Sequence, residues 1–304
     1  MITEMQAPYL FPIGAKLGTD NVVLQARARR HKVENYAGPL SIKTVIAGQV
    51  SWLVGGRELL VDPSSFLVIA AGELYSMNIN EPRPVETCCV FFAPGFVERI
   101  ASDATSPLEL SLGAPDRPAP AIPYLSALHG DREGTLLNRI QSLAPRCKVT
   151  ILPSALEEDF IVLAGQLLRF YEQIRQETAR IPAVKESTRQ ELFRRLVVGR
   201  EYMHSRTSEP VSLAAAARAA CLSPFHFHRG FKQAFRKTPH EYLTELRLDR
   251  ARILLESQSS VLDASLEAGF ASPSAFSRQY RAHYGETPSS ARRKFARSGM
   301  NLSG

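Results

Sequence analysis

With 304 residues, 44% of them hydrophobic, the chain is long enough for two domains with separate cores. It contains no apolar stretch of about eighteen residues, which excludes a membrane-spanning helix, and no signal-peptide pattern, so we expect a cytoplasmic protein. The net charge of +7 is uneven: residues 185–304 hold 20 Lys and Arg against 11 Asp and Glu, whereas residues 1–184 hold 17 against 19. A basic segment beside a near-neutral one is typical of a nucleic-acid-binding module joined to another domain.

Residues 22–92 carry the pattern of an all-β domain. Short stretches rich in β-branched and aromatic residues alternate with turn sequences such as Gly55-Gly56. Strands at such regular spacing predict a small sandwich or barrel. Pro82 and Pro84 are expected to separate the last two strands, and residues 113–123, with four prolines, to form a loop. The predicted strands are 22–24, 41–54, 57–61, 66–69, 74–79 and 85–92.

A long amphipathic helix is predicted to follow. Five apolar side chains recur at spacings of 4, 3, 4 and 3, in one stripe on a helix that ends near residue 180. The stripe either docks on the β-domain or forms a seam with a second copy, and the sequence does not choose between them. The residues assigned to a homodimer seam are Leu156, Phe160, Leu163, Leu167 and Phe170. Pro182 breaks this helix, and another is predicted from about residue 187 to 205.

The most specific pattern is an internal repeat near the C-terminus. Residues 213–239 align with residues 262–288 at a constant offset of 49, with nine identities in 27 pairs. Chance would give about two, so the repeat indicates two copies of one structural unit. The identical pairs are Leu213/Leu262, Ala215/Ala264, Ala219/Ala268, Ser223/Ser272, Pro224/Pro273, Phe227/Phe276, Arg229/Arg278, Thr238/Thr287 and Pro239/Pro288.

Each copy contains the parts of a helix-turn-helix unit. A short helix of small residues lets a second helix cross closely, and a tight turn follows at Cys221-Leu222 or Gly269-Phe270. A serine then caps the second helix, with proline at its first position. A connecting helix, residues 241–257, would fix the distance between the two second helices, and successive major grooves on one face of DNA lie about 34 Å apart.

The second helix of each unit is predicted to be amphipathic. Its aromatic pair, Phe227/Phe231 or Phe276/Tyr280, falls at positions i and i+4 and faces the core. The opposite face is polar, and such a helix fits the major groove, where Arg and Lys also neutralise phosphates. A solvated surface is the alternative interpretation, but the repeat favours DNA contact for the arginines. The polar-face residues are His228, Arg229, Lys232 and Arg236 in the first unit and Ser274, Ser277, Arg278 and Arg281 in the second.

Further motifs lie between residues 187 and 298. They are Ser223-Pro224, Phe227, Arg229, Phe231 and Lys232, then Arg247-Leu248, Ala251 and Leu254-Leu255, then Gly269-Phe270, Ser272, Phe276, Ser277, Arg278 and Thr287-Pro288. This pattern resembles the DNA-binding domain of the AraC/XylS family of bacterial transcriptional regulators. The resemblance implies base contacts from the exposed face of each second helix, and by position it adds Phe225 and Pro273 to the candidate DNA-binding residues.

The sequence departs from the family pattern at small residues. Ala216 and Gly230 stand where apolar side chains are usual, and Ala264-Ser265 replaces the common Ile-Ala. A glycine inside a helix costs roughly 1 kcal/mol relative to alanine. We therefore expect a softer core in both units. Pro273 also leaves the second helix of the second helix-turn-helix unit with fewer groups that can hydrogen-bond to DNA bases.

A weaker pattern covers the N-terminal half. Residues 38–43, Gly48, Gly56-Arg57, Phe66-Leu67 and Gly72 resemble the cupin-type sensor domain common in that family. This resemblance implies a jelly-roll barrel that binds an effector or a partner chain. Enzymatic cupins hold a metal with several histidines and a carboxylate, whereas this region has only His31 before residue 129, so no metal is expected.

Candidate effector-binding residues in this domain are Trp52, Arg57 and Tyr75, with core or rim positions as the alternative. A basic run is interpreted as a solvated strand face rather than a site for an acidic effector. The cysteines lack CxxC spacing and are expected to be buried thiols. The basic run comprises Arg27, Arg29, Arg30, His31 and Lys32, and the cysteines are Cys88, Cys89, Cys147 and Cys221.

These patterns predict an α+β chain. It would have a cupin-like β-barrel or jelly-roll effector domain at residues 1–125, a helical linker and dimerisation region at 126–184, and an all-α double helix-turn-helix domain at 185–304. The predicted function is a homodimeric, sequence-specific DNA-binding transcriptional regulator controlled by a small-molecule effector. The alternative is a DNA-binding regulator controlled by a protein partner or by its abundance. An activator would also contact RNA polymerase.

Catalytic motifs are absent from the sequence. It contains no GxSxG, P-loop, dinucleotide fingerprint or HExxH. We therefore predict neither an enzymatic activity nor a cofactor.

Overall fold

The computed structural model describes residues 5–105, 126–130, 135–146, 153–257 and 259–300. The chain divides into two compact units, Met1–Gln176 and Glu177–Gly304. The described part of the first unit contains an eight-stranded antiparallel sheet, and that of the second is helical, so the predicted α+β chain is confirmed. None of the described helices is both long and apolar enough to cross a membrane. The predicted loop at 113–123 and Cys147 lie outside the described residues.

The sheet of the first unit has the strand order β1-β2-β7-β3-β6-β8, with β4 paired to both β5 and β7. All of these pairs are antiparallel. The strands are β1 Met5–Phe11, β2 Val22–Ala37, β3 Ser41–Ala47, β4 Val50–Val54, β5 Arg57–Val61, β6 Ser65–Ile69, β7 Leu74–Phe91 and β8 Ala127–Gly130.

Three strand predictions are wrong in their boundaries, and the strand predicted at 22–24 continues to Ala37. The predicted strand 41–54 is two strands, because Gly48 takes a φ of +86° and turns the chain between them. The predicted strands 74–79 and 85–92 are one strand, β7. Pro82 and Pro84 lie opposite a register shift in β2, so they occupy a bulge where ladder hydrogen bonds are already interrupted.

One face of the sheet encloses its own core. Side chains from seven strands, β2 to β8, meet in one buried cluster, which requires the sheet to curl around it. We call this side the inner face. Its buried members are Ala28, Val45, Val50, Trp52, Val54, Leu59, Val61, Leu67, Ile69, Tyr75, Ile79, Val85 and Leu128.

The opposite, outer face is covered by helices α1 (Phe96–Thr105), α2 (Thr135–Arg146) and α3 (Pro153–Ala179). The stripe predicted to form a dimer seam lies on α3 and packs into this layer. Leu163 and Leu167 are fully buried and contact the same cluster as strand residues such as Ile42, while Phe170 is partly buried against it. The seam assignment is therefore wrong, since the alternative, docking on the chain's own β-domain, buries the stripe: Leu156, Phe160, Leu163, Leu167 and Phe170.

A buried ion pair fixes α3 against α2. The carboxylate of Asp159, 2% exposed, accepts from the guanidinium groups of Arg139 at 2.6 Å and Arg146 at 2.7 Å. Two cations offset the cost of burying this carboxylate. The contact holds the apolar stripe of α3 in register with the sheet.

The second unit consists of seven helices in its described residues. Each of the last six begins at a serine or threonine whose hydroxyl accepts a backbone N–H of the first turn, as predicted for the two Ser-Pro sequences. The helices are α4 Glu186–Ser205, α5 Leu213–Ala219, α6 Pro224–Phe235, α7 Pro239–Glu256, α8 Val261–Glu267, α9 Pro273–Tyr284 and α10 Pro288–Met300.

The structure corrects the register of the internal repeat. The first helices correspond at an offset of 48, because their caps are Ser212 and Ser260, whereas the second helices correspond at 49. Ala271 is the extra residue in the second turn. The identities at Leu213/Leu262, Ala215/Ala264 and Ala219/Ala268 therefore do not join structurally equivalent positions.

Both short helices end in the same backbone motif. Cys221 and Gly269 follow the C-cap with φ of +51° and +88°, and the next residues, Leu222 and Phe270, bond back five residues to Ala217 and Ser265. This is the Schellman pattern, which favours glycine at the left-handed position.

The packing at Gly230 leaves no room for a larger side chain. A Cβ built on this glycine would lie 3.3 Å from both terminal methyl carbons of Leu196 on α4. Leu196, fully buried, already fills the space that a larger side chain would take. The glycine therefore allows close approach of α4 to α6.

Candidate nucleic-acid interface

The two reading helices, α6 and α9, are anchored to the core by their aromatic faces. Phe227, Phe231 and Phe276 are fully buried, and Tyr280 is 1% exposed. The ring centroids lie 5.4 Å apart in the first pair and 5.5 Å in the second, in tilted or edge-on contact. The predicted inward face is confirmed, and it fixes which residues point outward.

The outward faces carry the candidate DNA-binding residues. Phe225, 68% exposed, offers an unusual apolar contact surface at the start of α6. Ser277 is half-buried, and the others are exposed. They are Phe225, His228, Arg229, Lys232 and Arg236 in the first helix-turn-helix unit, and Pro273, Ser274, Arg278 and Arg281 in the second helix-turn-helix unit.

Arg236 departs from its predicted position. Helix α6 ends at Phe235, and Arg236 is its C-cap, in the left-handed conformation with φ of +60°. It lies past the helix rather than on its polar face. The equivalent residue in the second unit is Gly285, with φ of +75°. A cation at a helix C-terminus interacts favourably with the helix dipole, which gives Arg236 a local role as well.

The arginines are available for a partner, whereas some neighbouring polar groups are not. The Ser274 hydroxyl lies 2.8 Å from that of Ser272, and His226 Nδ1 lies 2.7 Å from the Ser223 hydroxyl. Among the described residues, no hydrogen bond or ion pair engages Arg229 or Arg278. An exposed guanidinium without an internal partner can donate two parallel hydrogen bonds to a guanine or a phosphate.

A shallow groove lies beside α9. It is lined by Ser277, Arg278, Arg281, Ala282 and Thr287. Thr287 was not among the sequence candidates, although its place in the repeated Thr-Pro pair is a usable signal. Its hydroxyl caps α10 by accepting the Ser290 N–H at 3.2 Å, so the groove edge combines two arginines with a helix N-terminus.

Helix α7 joins the two helix-turn-helix units rigidly. At its N-terminal end the Tyr242 ring packs edge-on against Phe231, with centroids 5.6 Å apart. Further along, Tyr284 donates a hydrogen bond of 2.6 Å to Asp249, and burial, with Asp249, raises the pKa of this phenol. Leu248 lies in the core of the second helix-turn-helix unit. Both reading helices are therefore packed against one continuous helix.

The sequence candidates for effector binding occupy different environments. Trp52 is 1% exposed in the inner core, so the alternative of a core position applies to it. Arg57 donates a hydrogen bond of 2.8 Å to the Ser126 carbonyl. Tyr75 is 7% exposed, and its hydroxyl accepts a hydrogen bond of 3.0 Å from Lys43, which was not among the residues predicted to bind an effector.

The remaining candidates are less informative. In the basic run, Arg27 is exposed and paired with Glu86, in keeping with a solvated strand face. Cys88 and Cys89 are buried as expected, but Cys221 is exposed at its turn. No group of three or more His, Cys, Asp or Glu among the described residues is arranged to hold a metal ion.

Comparisons with known proteins agree on the C-terminal region. Residues 216–294 match the family model of a helix-turn-helix domain. The HTH-type transcriptional regulator ArgR of Pseudomonas aeruginosa is 37% identical over 87 residues, 28% of this chain and 26% of that protein. The thermoregulatory protein LcrF of Yersinia pestis is 25% identical over 250 residues, 82% of this chain and 87% of that protein.

A solved structure is also similar to this region. It is a transcriptional regulator with an AraC-type DNA-binding domain from Chromobacterium violaceum, 35% identical with a TM-score of 0.32, and it covers 34% of this chain and 92% of that chain. The chain spans 26%, 27% and 36% of the length of the first three curated relatives.

The repeated helix-turn-helix units define the second unit as a DNA-binding domain. Residues 216–294 of this domain match the helix-turn-helix family, and this region is similar to HTH-type transcriptional regulators.

Proposed function

We propose that the chain is a sequence-specific DNA-binding transcriptional regulator. The observation that carries the proposal is the pair of core-anchored reading helices, each presenting an exposed arginine, Arg229 or Arg278, that no described residue engages. Base contacts would come from the outward faces of α6 and α9, with residues 185–304 as the DNA-binding part. Such a regulator acts where the chromosome lies, so we propose a cytoplasmic location.

Control by a small-molecule effector is part of the proposal. The proposed effector domain is residues 1–125, with strands β1 to β7 and helix α1, and the proposed linker and dimerisation region is residues 126–184, with strand β8 and helices α2 and α3. We further propose a homodimer, because linking two double units raises affinity for paired sites without new contacts. The buried stripe of α3 is not the surface for this. An activating regulator would also contact RNA polymerase, and the proposal includes no catalytic activity.

Arg229→Ala and Arg278→Ala should each weaken specific DNA binding by roughly 1–3 kcal/mol, the worth of a good bidentate base contact. The measurement is fluorescence anisotropy with a duplex that the parent selects from a random library, beside duplexes changed at single base pairs. The loss should concentrate at particular base pairs. Arg194→Ala is the control, since it removes an exposed arginine from α4, outside both reading helices. Unchanged selectivity in both reading-helix variants would contradict the assignment.

The fragment Glu177–Gly304 should fold and bind DNA without the first unit, because it holds both helix-turn-helix units. Its affinity should fall steeply with salt. A plot of the logarithm of the binding constant against the logarithm of the salt concentration should have a slope of about −0.9 for each phosphate contacted. Titrations at several salt concentrations measure that slope. A folded fragment whose DNA affinity does not respond to salt would refute the proposed function.

A further inference from the structure

Lys43 is a buried cation on the inner face of the curled sheet. It lies in β3 on the same face as Val45 and is 1% exposed. Its ammonium nitrogen lies 3.0 Å from the hydroxyl oxygen of Tyr75 and 3.7 Å from the centroid of the Phe91 ring. Lysine is almost never fully buried unless it is paired, so a group of opposite charge is expected beside it.

The described residues supply no counter-charge to Lys43. Its contacts are the hydroxyl of Tyr75 and the ring faces of Tyr75 and Phe91, and the Cys89 thiol is near enough to interact with it electrostatically. Burial raises the pKa of both Cys89 and Tyr75, so both stay neutral at pH 7. Burial also lowers the pKa of Lys43 to about 8, so roughly nine-tenths of the amine remains protonated at pH 7. Cation–π contact offsets only part of the cost of burying this charge.

A second polar group on the same face lacks a partner. Ser41 precedes Lys43 by two residues in β3, so both side chains lie on one face of the strand. Ser41 is fully buried, and its hydroxyl makes no hydrogen bond within the described part of the chain. Its partner across the ladder is Phe91, the residue whose ring contacts the Lys43 ammonium. The unsatisfied hydroxyl and the uncompensated cation therefore flank the same aromatic side chain.

We propose that Lys43, Ser41 and Tyr75 form the binding site for the carboxylate of a small apolar acid on the inner face of the sheet. The ammonium supplies the opposite charge, and the Ser41 hydroxyl is free to donate. Tyr75 accepts from Lys43, which leaves its own proton to donate to the acid. One cation among apolar walls fits a monoanion with an apolar body, and charge-assisted hydrogen bonds of this kind are strong.

The ring of Tyr36 lies next to Tyr75 at the edge of the inner core. Its half-buried ring meets that of Tyr75 edge-on, with centroids 5.6 Å apart, and it packs on the rim of the inner core with Val33 and Met77. Tyr75 thus separates the ammonium from this partly exposed rim. The role of the acid as the regulatory effector rests on the proposed function, whereas its binding is a property of the first unit and is tested without DNA.

The test uses the full chain with hexanoate, benzoate and phenylacetate, each beside its primary amide. Trp52, the single tryptophan, lies in the same cluster as Tyr75, so its fluorescence reports binding, and calorimetry gives the affinity. At least one acid should bind about tenfold or more tightly than its amide, because only the acid meets the ammonium. If no acid binds the folded chain, or the amides bind equally well, the proposal is overturned.

Variants then assign the site. Lys43→Met should lower acid affinity about tenfold or more while the amide is unaffected, and Lys32→Met, at an exposed lysine of β2, should change neither. Removing an uncompensated buried charge should also raise stability at pH 7. That gain should shrink as the pH rises from about 8 to 10.5, where the parent lysine loses its proton. Parent-like acid binding in Lys43→Met would overturn the proposal.

Ser41→Ala provides a second route if Lys43→Met does not fold. It should weaken acid binding with little change in fold, and unchanged affinity would overturn the site. DNA titrations of the same samples keep the two conclusions apart. A chain that binds its DNA but no acid would overturn this inference alone, and a chain that binds acid but no DNA would overturn the proposed function and support the site.

Discussion

Leu163→Asp should unfold the first unit rather than release a folded monomer. Leu163 is fully buried between α3 and the outer face of the sheet, so aspartate there loses apolar contact and buries a carboxylate. We expect a loss of more than about 4 kcal/mol, which is a large part of the stability of most domains. Urea unfolding followed by Trp52 fluorescence measures it.

Ile161→Asp is the matched control for this substitution. Ile161 lies two residues earlier in α3 but is 43% exposed, so the same new charge stays in water. Its effect on stability should stay within about 1 kcal/mol. Sedimentation distinguishes the alternative: if Leu163→Asp gives a folded protein of lower mass and unchanged stability, the stripe is a dimer seam after all.

Gly269→Ala should strongly destabilise the unit Glu177–Gly304. Its φ of +88° strains any residue with a side chain, at about 1–2 kcal/mol. The added Cβ would also lie 2.6 Å from the Thr207 carbonyl oxygen and 3.1 Å from Ser208 Cα, both backbone atoms. Overpacking against backbone adds about 1–3 kcal/mol. Thermal unfolding followed by far-ultraviolet circular dichroism measures the sum.

Gly285→Ala separates the two causes. Gly285 has a similar φ of +75°, but a Cβ there would meet no atom within 4 Å. It should cost only the backbone strain, so Gly269→Ala must exceed it by about 1–3 kcal/mol. Equal losses would show that the contact with Thr207 and Ser208 does not matter.

The helix-turn-helix units could be predicted from sequence because their signals are local. Ser223 and Ser272 cap helices within one turn, and the aromatic pairs repeat at helical spacing, so neighbouring residues determine the result. The offset of the first helices could not be predicted, because small alanines match equally well at 48 or 49. The packing at Gly230 could not be predicted, since Leu196 fills its space from a distant part of the chain.

The β-domain was harder to predict because its pairing is non-local. The whole length of β7, across both prolines, is set by its pairing with β2, whose paired residues lie 37 to 69 positions earlier in the chain. The assigned DNA contacts remain predictions. Lys43 was missed because β3 is buried on both faces, so alternation of polar and apolar residues does not reveal which face the lysine shares with Tyr75.

Helix α7 sets an angular phase as well as a distance. Its 18 residues span about 27 Å, and each residue turns the helix by about 100°. Inserting one residue at its centre would therefore rotate α9 by a quarter-turn or more relative to α6. Helix α9 would then no longer face the next major groove when α6 lies in the first. Because both ends of α7 are packed, the protein cannot absorb such an error by untwisting. A DNA site whose two contacted grooves differ in spacing from the two helices must then bend or twist to fit them.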